Sequence, residues 1–414
     1  MKFALSSATK CSGRLGLLSN IDRLPESIFH TPMLLMTNPH LSLEVLQISG
    51  LDKATDIGIV LPLTNVEQME KPLANNEKTI SEFVGLKNFL TFVTLKNSNE
   101  FSPSGSHEKG SIPIFKKSGK VGVTAQRYMN IIEAFRPDIF TSLGDADTFE
   151  GSSKKRVTRA TERSEEMFIE CVTRKRSSEV LKKTGFIASI EGGFNEYERK
   201  RLALQLKDHD EVIDGYFIDG IHRNGSEAAK LNLITVKSLV SYTLSLIPTD
   251  KLKIMLGAYL PHVTLELITL GIDIFDTSYA NIVTNSNRAL VFDFNLVDPK
   301  NVFPEIDLLD VKFHDDFSPL TENCPCLACK KHSRAYIHHL LNTHELLGPM
   351  LLSIHNLQHY KLFFESIRAA VGSERLPALL KQVHEQYAEA EKVLTYNTEE
   401  IVKDENEENK VESA

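Results

Sequence analysis

The 414-residue chain has no tryptophan, only five cysteines and no basic excess. No apolar run approaches the roughly 20 residues that a membrane-spanning helix needs. A nucleic-acid binder usually carries a surplus of Lys and Arg. Here 47 basic residues face 55 acidic ones, so any contact with RNA must come from a local patch. Part of the negative charge sits at the end, where residues 399–414 hold seven acids and two bases and almost nothing apolar. Residues 396–414 are therefore expected to be a solvated, disordered acidic tail. The first residues, MKFALSSATKCSGRLG, alternate polar and apolar side chains. They read as a β-hairpin rather than a signal or transit peptide, which makes the cytoplasm the expected compartment.

Scarce as they are, three of the cysteines fall within six residues, in the run CPCLAC: Cys324, Cys326 and Cys329. Cysteines this close do not pair with one another, and an odd count in a reducing compartment argues against disulfides. Cys-x-Cys-x2-Cys instead puts three thiolates on one loop, three corners of a tetrahedral Zn²⁺ site. Soft sulfur ligands with an imidazole favour zinc over magnesium or calcium. The fourth ligand can be any of His332, His338, His339, His344, His355 or His359. Four protein ligands leave no open position, so one such ion per chain would be structural.

Upstream, short apolar segments alternate with amphipathic ones. KFALSS, RLGLLS and PMLLMT read as N-terminal strands. Residues 96–120 read as a long loop with weak strand content. Thr124 is placed to cap a helix over AQRYMNIIEAF. Strands are then expected at 138–143, 185–190, 212–218, 253–256 and 272–276. Helices are expected at 159–172, from Asn195, at 226–245 and at 262–270. This alternation at this length, with no Gly-x-Gly-x-x-Gly, predicts an α/β fold of (β/α)8 TIM-barrel type. Barrel and N-terminal strands would occupy residues 1–310, and a zinc-stapled helical subdomain residues 311–395. The Leu- and Phe-rich stretch 346–367 has more apolar residues than one buried face needs, so core packing competes with a subunit interface.

The order barrel, Cys-x-Cys-x2-Cys, then a histidine 26 residues after the last cysteine resembles the tRNA-guanine transglycosylases. Other segments also resemble the family: IEGGFNEYERKR (190–201), DGYFIDGI (214–221) and LGAYLPHVTLELITLGIDIFDTS (256–278). The resemblance spans about residues 120–375. It implies Cys324, Cys326, Cys329 and His355 as zinc ligands. It also implies exchange of guanine at the tRNA wobble position for queuine, the queuosine modification, in tRNA with a GUN anticodon. In that chemistry one carboxylate attacks the ribose anomeric carbon and a second acts as acid/base.

The family nucleophile maps onto Asp276, but the rest of the site departs from the pattern. The segment that should supply the second carboxylate reads FSPSGSHEKGSIPIF here. The purine-binding aspartate falls on Gly144, with Asp145 one step over. The pocket glutamine becomes Glu191, a pocket glycine becomes Asp219 beside Gly220, and Pro-Thr-Arg becomes Ala280, Asn281 and Ile282. The resemblance therefore implies a chain without catalytic residues of its own. Its partners would be a catalytic queuine tRNA-ribosyltransferase subunit, in a heterodimer, and tRNA. By the same resemblance, peripheral association with the mitochondrial outer membrane is expected, and the subunit interface should lie near the zinc subdomain, in the 346–367 stretch. The alternative is an active enzyme using Asp276. Two basic clusters, Lys154/Lys155/Arg156/Arg159/Arg163 and Arg174/Lys175/Arg176, are candidates for phosphate contact. A solvated helix face that also bears Glu162, Glu165 and Glu166 is the slightly favoured reading.

Overall fold

The computed structural model describes residues 1–8, 13–37, 57–105, 108, 110–116, 119–298 and 303–390. The acidic tail lies outside the described residues. An antiparallel sheet of β1 (Lys2–Ala8), β2 (Arg14–Ser19) and β3 (Phe29–Thr31) opens the chain. Eight parallel strands then close into a barrel: β4 (Met33–Met36), β5 (Ile57–Pro62), β6 (Leu90–Thr94), β9 (Ile139–Thr141), β10 (Gly185–Ile190), β11 (Gly215–Ile218), β12 (Leu252–Ile254) and β13 (Ile274–Asp276). A hairpin, β7 (Ile112–Lys116) and β8 (Gly119–Val123), is inserted between β6 and β9.

The pleat sorts side chains by twos. In β4, Met33 and Leu35 face the barrel interior with Val60, Phe92, Ile187 and Ile254. Leu34 and Met36 face the surrounding helices. Leu18, Ile21 and Phe29 join the interior cluster, so the N-terminal sheet closes the end of the barrel where the strands begin. Arg14 fixes it there, donating to Asp273 beside β13 at 2.8 Å.

Helix starts follow their caps. The Thr124 side chain accepts from Arg127 N–H at the start of Ala125–Phe135, and Ser153 accepts from Arg156 N–H at the start of Lys154–Ser177. Asn195 and Asn232 do the same for Glu196–Lys207 and Leu233–Ser245. Gly271, at φ +102°, ends Pro261–Leu270 in the left-handed conformation that costs glycine little.

PMLLMT forms a strand as expected, and that strand is β4 of the barrel. Several expectations need correction. Strands β5 and β6 are absent from the sequence reading: both are buried along their whole length, and neither IGIVLP nor LTFVT shows a regular polar–apolar alternation. The 96–120 loop contains the β7–β8 hairpin. The 226–245 helix is a 3₁₀ segment, Gly225–Lys230, then a break before Leu233. The interface reading of 346–367 also fails for most of the stretch. Within the helix Leu347–Gly372, Leu351, Leu352, Ile354, Leu357, Tyr360, Phe363, Phe364 and Ile367 are at most 3% exposed inside the chain's own core. Only Leu346 and Leu347 at its start stand out into solvent. This helix packs on Ser278–Asn285, the helix that follows the last barrel strand, so the C-terminal helices and the barrel share one core.

Candidate functional site

Two sites emerge, and the first is the cysteine loop. Cys326 caps the short helix Leu327–Lys331, accepting from Cys329 N–H at 3.3 Å. This turn folds the three sulfurs towards the fully buried His355. Its Nδ1 lies 3.7 Å from Cys324 Sγ, 3.7 Å from Cys326 Sγ and 3.3 Å from Cys329 Sγ. With metal–sulfur bonds of about 2.3 Å and metal–nitrogen bonds of about 2.0 Å, tetrahedral angles place S and N about 3.6 Å apart. The four ligand atoms therefore surround one point at coordination distance, all within 4.8 Å of one another. His355 Nε2–H donates to the Leu290 carbonyl at 2.8 Å, which fixes the tautomer and turns the Nδ1 lone pair to the sulfurs.

The electrostatics of the bare cluster point the same way. Hydrogen bonds from Cys326 and Cys329 hold Cys324 far below the usual thiol range, and the contacts of Cys326 with Cys324 and Cys329 push Cys326 far above it. Burial pulls His355 down, but the Cys324 and Cys329 sulfurs overcome it and lift the imidazole to about 10. Three sulfurs in one buried spot do not all ionise unless a cation compensates them. The donor set thus fits a soft divalent metal. The other candidate histidines turn elsewhere. His338 Nδ1 pairs with the Leu308 carbonyl, His332 stacks on Tyr336, and His359 packs against Phe292 and Phe294.

The second site is the barrel mouth. Asp276 ends β13, Glu191 follows β10, Asp219 follows β11 and Gly144 follows β9, so all lie at the carboxyl ends of the strands, where barrel enzymes build active sites. Asp276 is 2% exposed. Its Oδ1 accepts from Gly257 N–H at 3.3 Å and Ser278 N–H at 3.1 Å, and its Oδ2 from Ser98 Oγ–H. Burial raises its pKa despite those donors. The carboxylate is enclosed and already bonded on both oxygens.

Glu191, 1% exposed, lies in a slot between glycines. A Cβ on Gly144 would come within 2.8 Å of its Oε1, and one on Gly220 (φ +73°) within 2.6 Å of its Oε2. Burial and then the neighbouring Asp219 push its pKa well above the carboxylate range, and Asp219 is raised by burial as well. Oε2 has no hydrogen-bond partner among the described residues. Glu191 and Asp219 are therefore neighbours at the mouth, and a buried counter-charge that the sequence did not reveal lies beside them. Fully buried Arg199 donates to the carbonyls of Gly193 (2.7 Å), Ile190 (3.3 Å) and Asp219 (3.0 Å). The signal lay in helical spacing: in Glu196–Lys207, Arg199 shares the buried face with Leu202, Ala203 and Leu206.

Asp145 does not face the pocket as a base-binding group would. Arg156 donates to both its oxygens and Arg163 to Oδ2 at 2.8 Å. This corrects the reading of Arg156 and Arg163 as a freely solvated face, since both are largely covered and paired with Asp145. Lys154, Lys155 and Arg159 are exposed. In the second cluster, Arg174 pairs with Glu133, and Arg176 with Glu211. Buried Lys175 donates to the carbonyls of Leu181, Lys182 and Thr184. Asn281, buried, links the Thr37 carbonyl (2.6 Å) to Asn99 (3.2 Å).

What remains between Gly144, Ser142, Ser189, Glu191 and Asp219 is a cavity of about 40 Å³. That admits a few waters at about 10–15 Å³ each. Ligand sites for small organic molecules start near 300 Å³. A far larger groove, about 1140 Å³, runs beside the cysteine loop between Phe292, Leu320, Arg334 and Leu362. It lies away from the strand ends and so is not the pocket of a barrel enzyme.

A family model described as queuine tRNA-ribosyltransferase matches residues 9–389. A protein of Aedes aegypti is 40% identical, with 93% of each chain covered. One of Anopheles gambiae is 37% identical over 92% of this chain and 89% of its own. One of Drosophila melanogaster is 38% identical over 93% of each. All three are called queuine tRNA-ribosyltransferase accessory subunit 2. With its eight-stranded barrel and its cysteine–histidine cluster, the chain belongs to the queuine tRNA-ribosyltransferase family.

Proposed function

We propose that this chain is the non-catalytic subunit of a heterodimeric queuine tRNA-ribosyltransferase. It pairs with a catalytic homologue and helps hold a tRNA whose wobble guanine is exchanged for queuine. The observation that carries the proposal is the barrel mouth: Asp276 is buried with both carboxylate oxygens already hydrogen-bonded, and the cavity between Glu191 and Asp219 holds only about 40 Å³. A nucleophile must reach an anomeric carbon, and a base flipped from RNA must have a pocket to enter. Among the described residues, the enclosed Asp276 and the small cavity support a chain that does not itself perform the exchange. The names of the relatives support an accessory role.

The metal in this reading is one Zn²⁺ held by Cys324, Cys326, Cys329 and His355. It joins the loop to the helix Leu347–Gly372 and supplies structure rather than chemistry. The exposed residues Lys154, Lys155 and Arg159 are the remaining basic candidates for tRNA phosphates. Leu309, Val311, Phe317 and Leu346, all exposed around the cysteine-loop region, are candidates for the partner-facing surface. We place the protein in the cytoplasm, with peripheral contact to the mitochondrial outer membrane. No helix among the described residues is long and apolar enough to cross a membrane.

The test is guanine exchange into a queuosine-type tRNA. The chain alone should be inactive, and it should co-purify with a catalytic homologue as a 1:1 complex that is active. Exchange by the chain alone would defeat the proposal.

A further inference from the structure

We propose that residues 97–105 form a strap that locks the barrel mouth from within, with Arg223 as its latch. The inference concerns the same mouth as the proposed function but does not depend on a partner subunit. Barrel enzymes that close over substrate use loops with few buried contacts, drawn from the least stable parts of the fold. This loop, although exposed at Glu100, Phe101, Pro103 and Ser104, is instead held by hydrogen bonds along its length. It begins after β6 and is tied to other strand ends in turn. Ser98 bonds Asp276 and, at 3.0 Å, Ser278, both at the end of β13. Asn99 accepts from Thr37, beyond β4, at 3.1 Å. Ser104 Oγ–H and Gly105 N–H donate to Asp147, beyond β9, at 2.6 and 2.9 Å.

The middle of the strap is held from the loop after β11. Ser102 N–H donates to the Arg223 carbonyl at 2.7 Å, and Gly225 N–H donates to the Ser98 carbonyl at 3.0 Å. The Asn224 amide donates to Ser102 Oγ at 3.3 Å. Over this seam the Arg223 guanidinium packs on two rings, 5.0 Å from the Phe101 centroid and 4.4 Å from that of Phe149. Cation–π contact of this kind draws Phe101 and Phe149 to one cation. Gly225, at φ +58°, makes the crossing possible, since a Cβ there would lie 2.9 Å from Phe101 N. The Ser98 and Asn99 ties are buried or half-buried, whereas Phe101 is 51% exposed. Residues 100–102 thus lean on Arg223, while Ser104 and Gly105 hold to Asp147, and the 40 Å³ cavity lies among the same loops, lined by Lys96, Ser98 and Asn224.

Hydrogen exchange resolved to single amides on the isolated chain tests this. In the unmutated protein the Ser102 and Gly225 amides should exchange at least about ten-fold more slowly than unbonded loop amides. Arg223→Ala keeps the backbone carbonyl but removes the latch, and should erase most of that protection while Leu347–Gly372 stays protected. Phe101→Ala, at a half-exposed side chain that does not threaten the fold, should act in the same direction. It decides the matter if Arg223→Ala loosens the whole chain. Unprotected Ser102 and Gly225 in the unmutated protein, or protection unchanged in both variants, would overturn the proposal.

Discussion

Arg199 offers the sharpest energetic test of the barrel mouth. Its guanidinium is wholly buried and satisfies three carbonyls near the ends of β10 and β11, beside two raised carboxyls. Arg199→Met keeps the apolar stem and removes the charge. Hydrogen bonds to a charged group are worth about 1.5–3 kcal/mol each, but they are not additive within one network. Leaving buried carbonyls without their donor costs about 1–3 kcal/mol each, so urea unfolding should show a loss of about 3–5 kcal/mol in total. The pH dependence carries a second signature. Glu191 and Asp219 have folded pKa values above their unfolded ones, so between those values the folded chain holds more protons than the unfolded chain. The stability they allow is fully present below those values and falls as pH climbs through the folded ones. Without the guanidinium both carboxyls rise further, and the fall with pH should extend further in Arg199→Met. Adding Glu191→Gln should flatten it. A loss below about 1 kcal/mol, or identical pH profiles with and without Glu191→Gln, would refute this account of the mouth.

Other outcomes follow from the same contacts. Purified protein should contain one zinc per chain by elemental analysis; Cys326→Ser or a strong chelator should remove it and make residues 311–390 protease-sensitive. Phe292, 1% exposed and edge-on to Phe363 at 5.0 Å, centres the C-terminal aromatic cluster. Phe292→Ala should cost about 3–5 kcal/mol in urea unfolding. Lys154→Ala, Lys155→Ala and Arg159→Ala combined should weaken tRNA binding by the complex and lower its salt dependence. Arg156→Ala should instead lower stability, because it strips a partner from buried Asp145.

The sequence exposed those parts of the fold that depend on local chemistry. Cysteine spacing marks a metal loop because three sulfurs must converge, and Thr124 marks a helix start because an N-cap is a local bond. Strands β5 and β6 escaped because a strand buried on both faces has no alternation to read. Asp276 shows the limit at the site. Its type and its place at a strand end read as catalytic, and its enclosure comes from Ser98, 178 residues away in the chain. Arg156 and Arg163 read as surface charge because only tertiary structure brings Asp145 to them. Arg199 was hidden among the charges of EYERKR, although its helical phase placed it with the leucines. The segment 346–367 read as surplus apolar surface because the partner helix that covers it, Ser278–Asn285, lies about 70 residues upstream.

The central claim is that this chain supports base exchange without performing it. The most direct measurement is guanine exchange by the assembled pair when this subunit carries Asp276→Asn, a change that keeps size and removes the nucleophile. The account predicts an unchanged kcat. A collapse of kcat in an intact heterodimer would contradict it and make Asp276 a working catalytic residue.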